Sequence, residues 1–159
     1  MYLLDTNIFI TAKIQLPMDI YPSFWKALAQ CAQNGNFRSI KKVELEIKRG
    51  NDVLVDWIDN NLPKDFFISE NSSTIASLAT VTGWTMSNGV YSPAAKNEFA
   101  SVADSWLVAE AISQSSIVIT HETPDPRCVR RVKIPDVCNA VGVQYCDLND
   151  AFRELHITI

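Results

Sequence analysis

Four acidic residues stand where a carboxylate can do chemistry as well as solvate a surface: Asp5, Glu46, Asp104 and Glu122. Asp5 closes the apolar run Tyr2-Leu3-Leu4, and Glu122 lies just past Ile117-Val118-Ile119-Thr120. In open parallel sheets ligands gather outside the carboxyl ends of the strands, so an acid just past such an end sits at the rim of a buried element. Glu46 lies within the stretch around Lys41–Arg49, and Asp104 opens the stretch Ala103–Ser113, both of helical pattern. Four carboxylates meeting at one place repel unless a cation lies between them. Hard oxygen ligands suit Mg²⁺ or Mn²⁺ rather than zinc. Such a centre lowers the pKa of a bound water and offsets charge on a scissile phosphate, the chemistry of phosphodiester hydrolysis.

Each acid also has a plainer reading. Asp5, before Thr6-Asn7, suits a helix N-cap. Asp104 follows Ser101 by three residues, the spacing of a capping box. Glu46 shares its helix with Glu44 and Lys48 and reads equally as a solvated charge, and Glu122 as an ordinary loop acid. Periodicity leaves these alternatives open.

The elements that must position the acids alternate in type. Tyr2–Leu4, Phe66–Ile68, Ser116–Thr120 and Val143–Cys146 read as strands, the clearest being the β-branched centre of Ser116–Thr120. Phe37–Ile40 reads as a strand or an entry loop. Helices are expected over Pro22–Gln33, through Val43, Leu45 and Ile47 up to Gly50, after Asn51 or Asp52 with Val53, Leu54, Trp57 and Ile58 on the apolar face, and over Ser72–Met86 with Ile75, Leu78 and Val81. Further helices are expected over Ala103–Ser113, Asp136–Val141 and Asn149–Leu155, with a loop or short helix from Ser92-Pro93 and a polar, Pro-rich loop at Glu122–Arg127. Strands separated by helices imply a parallel sheet with helical crossovers. No repeat or composition break divides the chain, so residues 1–159 are expected to form a single α/β domain, a central parallel sheet flanked by helices.

Composition narrows the classes. With 47% apolar residues in 159 the chain can bury a core, which excludes a disordered protein. No apolar run approaches the ~18–20 residues of a membrane span. The start has no basic stretch and carries an acid at position five, so a cytoplasmic protein without secretory signal is expected. Cys31, Cys128, Cys138 and Cys146 form no C-x-x-C pair and read as reduced, mostly core thiols.

Leu3-Leu4-Asp5-Thr6-Asn7 resembles the opening motif of PIN domains, the fold of VapC-type ribonuclease toxins. Ser39 followed seven residues later by Glu46 resembles the second motif of that family, Ala103-Asp104 before Leu107-Val108-Ala109 the third, and Thr120-His121-Glu122 the fourth. The four come in family order and span nearly the whole chain. Tyr2–Ile10, Thr120–Glu122 and Lys133–Cys138 look most like the DUF4411 branch of PIN-like proteins. The resemblance implies a PIN-like nuclease domain in which Asp5, Glu46, Asp104 and Glu122 hold one or two Mg²⁺ or Mn²⁺ ions and cleave RNA. It implies that the hydroxyl of Thr120 orients a water or an acidic neighbour and that Asn7 supports Asp5. It also implies a toxin held inactive by a cognate antitoxin protein, with a homodimer as the common assembly. Position 122 is Glu where many members have Asp, with Asp125 as a substitute ligand, and Glu44 is the rival of Glu46. The alternative is a PIN-like module that binds RNA or protein with little or no catalysis. An aspartyl-phosphate phosphatase is disfavoured because position 7 is Asn, and a dinucleotide-binding domain because no G-x-G-x-x-G follows the first strand.

Two basic groups flank the acids: Lys41, Lys42, Lys48 and Arg49 around Glu46, and Arg127, Arg130, Arg131 and Lys133 after Glu122. Both could hold phosphates beside a cut. The net charge of −4 weighs little against an RNA substrate: without the four candidate acids, 14 acids face 14 basic residues. His121 is expected to be a motif spacer or a hydrogen-bonding residue rather than a base, and Trp57, Trp84 and Trp106, at helical spacing, to be core.

Overall fold

The computed structural model describes all 159 residues as an α/β domain around a five-stranded, wholly parallel sheet. In chain order the elements are β1 (Tyr2–Leu4), α1 (Thr6–Gln15), α2 (Pro22–Gln33), β2 (Phe37–Ile40), α3 (Lys41–Lys48), α4 (Val53–Asn61) and β3 (Phe67–Ile68). They continue with α5 (Ser72–Ser87), α6 (Pro93–Ser101), α7 (Ala103–Gln114), β4 (Ile117–Ile119), α8 (Ile134–Val141), β5 (Tyr145–Cys146) and α9 (Leu148–Glu154).

The strand order is β3-β2-β1-β4-β5. The chain builds outward from β1 on one side through β2 and β3, then returns to the other side of β1 with β4 and β5. The direction of winding therefore reverses between β1 and β4, and the crevice at that switch point is where such sheets place ligands. Register supplies the rest: Leu4 pairs with Ile119, so the next residues of the two strands, Asp5 and Thr120, emerge side by side.

The core is one cluster of 37 buried apolar residues drawn from both ends of the chain. Leu3, Leu4, Val118 and Ile119 are fully enclosed, as a sheet covered on both faces requires. Helix α7 buries Ala103, Ser105, Leu107, Val108, Ala109, Glu110 and Ala111, residues on every side of it, because it lies against the sheet and is itself covered by α5. Phe37–Ile40 is a strand, Pro93–Ser101 is a helix, and Asp52 caps α4 through the Leu54 amide. Gly142, at φ +76°, closes α8 in the left-handed conformation that only glycine adopts without strain.

The structure departs from the sequence reading in particular places. Helix α1 carries no clear apolar stripe, since Ile8 and Phe9 are buried while Ile10 and Ile14 are exposed. Leu45, Val53 and Ile75, expected on apolar faces, lie on the solvent side of their helices. The strands at Phe67–Ile68 and Tyr145–Cys146 are trimmed to two residues at the sheet edges. Trp57, Trp84 and Trp106 pack half-buried against the core, and Trp25 and Phe24 lie within it. The four cysteines are free thiols, Cys31 and Cys138 buried. No helix is long and apolar enough to cross a membrane.

Candidate functional site

The switch-point crevice opens into a cleft of about 250 Å³ lined by Asp5, Glu46, Glu98, Asp104 and Arg131, with Ile10, Phe99 and Val132 among its apolar walls. Four carboxylates thus face one guanidinium.

Asp5 sits at the position before α1 and makes no well-formed capping hydrogen bond, although the Thr6 and Asn7 amides are close enough to pull its pKa down. Its carboxylate instead accepts the Thr120 hydroxyl at 2.8 Å, across the β1–β4 register. Asp5 is 3% exposed, and burial pushes its pKa up to about 6, against the pull of the Thr120 hydrogen bond and with the help of the Glu122 charge. Asn7 acts one step away from the acid. Its amide lies 3.4 Å from the Thr120 hydroxyl oxygen, and its carbonyl oxygen accepts the His121 amide at 3.3 Å. The expected direct support of Asp5 by Asn7 therefore runs through Thr120. His121 itself is exposed.

Glu46 is no solvated helix charge. One oxygen accepts the Thr6 hydroxyl at 2.6 Å and the other the Ala103 amide at 3.0 Å. It thereby ties the N-terminus of α1 to that of α7 and serves as the cap that the adjoining residue, Val102, cannot supply. Glu44 is engaged elsewhere, in ion pairs with Lys41 at 2.7 Å and Lys48 at 2.9 Å. Burial raises its carboxyl, but those two lysines outweigh burial and hold it below its ordinary value.

Asp104 lies one residue beyond the amide that Glu46 caps. The capping-box alternative fails, because the Ser101 hydroxyl donates to the Glu98 carbonyl at 2.8 Å. No hydrogen bond in the structure reaches the Asp104 carboxylate, although it is only partly exposed. Burial, followed by the charges of Asp5, Glu122 and Glu46, pushes its pKa up to about 7, and Arg131 pulls weakly the other way.

Glu122 stands beside the cleft with its side chain 7% exposed. One oxygen accepts the Ile134 amide at 2.8 Å, capping α8. The other lies 2.7 Å from Nη2 of Arg131, a close charge contact whose N–H groups are not aligned on the oxygen. Asp125 is exposed and outside the cleft; it accepts the Arg127 amide at 3.3 Å, and its own amide donates to buried Asp136 at 3.0 Å. Glu98 had no signal in spacing or motif, and Asp136 was marked only as part of the Lys133–Cys138 segment of the resemblance, with no role.

The four acids therefore divide. Glu46 and Glu122 have both oxygens engaged by protein groups. Asp5 and Asp104 both line the cleft, and no hydrogen bond reaches the Asp104 carboxylate. No three acid, His or Cys side chains converge closely enough to enclose an ion by themselves. Mg²⁺ is commonly held by one or two carboxylates with waters completing its shell, so Asp5 and Asp104 form a donor set that fits it.

Of the basic groups, Lys41 pairs with Glu44, and Lys42 lies 3.4 Å from Glu70 and 4.5 Å from the Trp106 ring centre. Arg49, Arg127 and Arg130 are exposed and in no ion pair.

A family model described as "Domain of unknown function (DUF4411)" matches residues 2–159. The chain belongs to the DUF4411 family. No curated protein and no solved structure matches it. In this DUF4411 chain the family region spans every element that builds the cleft.

One consequence concerns the Thr120 hydroxyl. Thr120→Val keeps the shape but removes the donor to a buried carboxylate, so it costs about 1–2 kcal/mol of stability at neutral pH. Below pH 5, where Asp5 is protonated, the cost shrinks. Urea unfolding at pH 7.5 and pH 4.5 measures the difference.

Proposed function

We propose that this chain is a Mg²⁺- or Mn²⁺-dependent endoribonuclease acting at the Asp5–Asp104 cleft. The observation that carries the reading is the Asp104 carboxylate, set among Asp5, Glu46 and Glu122 with no hydrogen-bond donor. A fold that needed no cation would gain by replacing it. Position adds support, since the cleft lies at the switch point of a parallel sheet. The resemblance of the four motifs to PIN domains supplies the substrate class. It also supplies the wider proposal of a VapC-like toxin, cytoplasmic, held by an antitoxin and paired as a homodimer.

Asp5 and Asp104 would hold the cation, which supplies an activated water and offsets charge at the scissile phosphate. The remaining groups keep that pair in place. Thr120 fixes the rotamer of Asp5, and Asn7 fixes Thr120. Glu46 locks the starts of α1 and α7, and so the separation of Asp5 from Asp104. Ile10, Phe99 and Val132 supply apolar walls beside the acids, where a charge is less well solvated. Arg127, Arg130 and Arg49 are free to meet backbone phosphates beyond the cut.

A binding module without catalysis is favoured by one observation, the engagement of Glu46 and Glu122 by protein donors. Incubation of single-stranded RNA with the purified protein separates the two. The expected result is cleavage in Mg²⁺ or Mn²⁺, none in EDTA, and none with Asp5→Asn. RNA left intact under all conditions, or cut equally well by Asp5→Asn, refutes the nuclease reading.

A further inference from the structure

We propose that Glu122 is a positioning residue that holds Arg131 at the cleft, and that Arg131 is the cation that takes a substrate phosphate there. The inference rests on the RNA-cleaving reading for its substrate class, but its geometry is independent of any metal.

Arg131 is the only basic residue lining the acid cleft. Its side chain is 55% exposed, while that of its partner Glu122 is 7% exposed. A long side chain half in water has no reason to remain at the cleft unless something holds it, and Glu122 Oε1 is 2.7 Å away. Glu122 can do so because its other oxygen is fixed by the Ile134 amide. The contact with Glu122 is one of charge at Nη2 alone, so the N–H donors of the guanidinium remain for a phosphate.

The loop that carries Arg131 is itself fixed. The Asp125 amide donates to Asp136, the Cys128 amide to the Asp125 carbonyl at 3.0 Å, and the Ser92 amide to the Val129 carbonyl at 2.9 Å. Pro124 and Pro126 restrict the backbone further. Two acids, Glu122 and Asp136, thus accept backbone amides at the two ends of one arginine-bearing segment. An arginine held in advance loses less side-chain freedom when it binds. On this account the Glu at position 122 serves an arginine, and the carboxylates left for a cation are Asp5 and Asp104.

Glu122→Gln keeps a carbonyl oxygen for the Ile134 amide while removing the charge that holds Arg131, so the loop is retained. The test measures two affinities for wild type, Glu122→Gln, Arg131→Gln and Arg131→Lys. The first is for a labelled single-stranded RNA in EDTA, followed by fluorescence anisotropy across a salt series. The expected loss for Arg131→Gln is about tenfold, with a salt slope reduced by about one. Arg131→Lys restores the slope but only part of the affinity, since ammonium lacks the fork. Glu122→Gln weakens binding with the slope unchanged. The second affinity is for Mn²⁺ alone, by calorimetry: Arg131→Gln does not lower it, and Glu122→Gln, which removes a charge felt by Asp5 and Asp104, lowers it far less than Asp104→Asn does. Wild type that binds no RNA, Arg131→Gln that binds with unchanged affinity and slope, or Glu122→Gln that loses Mn²⁺ as Asp104→Asn does, overturns the proposal. Wild type that binds RNA through Arg131 but takes no Mn²⁺ refutes the metal reading and leaves this one standing.

Discussion

Asp104→Asn abolishes RNA cleavage and at the same time makes the metal-free protein more stable. The loss of activity exceeds about a hundredfold, the upper range for removing a group that merely supports a metal ligand. The gain in stability follows from the surroundings of the carboxylate. Its pKa is pushed up to about 7, first by burial and then by Asp5, Glu122 and Glu46, against an ordinary value of 3.8. A carboxyl raised on folding binds its proton more tightly in the folded state, so it lowers stability progressively as pH rises from about 4 to about 7. A rise of some three units corresponds to roughly 4 kcal/mol at most, and the Asn side chain escapes that loss. Asp104→Asn therefore melts several degrees above wild type at pH 8 in EDTA, and the gap closes toward pH 4. Paired melts at the two pH values, with a cleavage assay on the same samples, decide it. An Asn variant that is less stable at pH 8 would mean that Asp104 is a structural acid with a donor of its own.

Cation binding reverses the pH dependence. Metal-free wild type loses stability between about pH 4 and pH 7 as Asp104, and Asp5 with a pKa raised to about 6, are forced to ionise in a buried place. Mn²⁺ requires both carboxylates deprotonated, so it binds well above pH 7 and is displaced by protons below pH 6. At a hundredfold excess over its dissociation constant it adds about 2.7 kcal/mol, a rise in Tm of about 5–10 °C for a chain of this size. The expected result of thermal melts is a large Mn²⁺ stabilisation at pH 8 that vanishes by pH 5. An equal rise at both pH values, or one retained in the Asp5→Asn, Asp104→Asn double variant, places any bound ion elsewhere.

The sequence carried the architecture well where local and long-range preferences agree. Ile117-Val118-Ile119 is apolar and β-branched and can only be a buried strand, and Pro22–Gln33 has a proline at its start and an Asn-Gly-Asn stop. Helix α1 was silent because it is buried at Ile8, Phe9 and Ala12 but carries exposed Ile10 and Ile14, so its periodicity is blurred. Asp5 and Asp104 were legible as members of one cleft because they lie at element boundaries that a parallel sheet brings to one edge, whereas Glu46, inside α3, was legible only through the motif resemblance. Their separate duties were not legible. That Glu46 caps α7, 57 residues away, depends on the packing of α3 beside α7. That Glu122 caps α8 and meets Arg131 depends on the return path of a 12-residue segment. The motifs bring Asp5, Glu46 and Asp104 to the cleft but miss Glu98, and only the three-dimensional donors show which carboxylates are engaged.

The central claim is that Asp5 and Asp104 together take a divalent cation. Calorimetric titration of Mn²⁺ into the metal-free protein at pH 7.5 tests it most directly. The account predicts saturable binding to wild type with one or two ions per chain, and a loss of at least about a hundredfold in affinity for Asp104→Asn. Wild type that takes up no Mn²⁺, or Asp104→Asn that binds it as tightly as wild type, contradicts it.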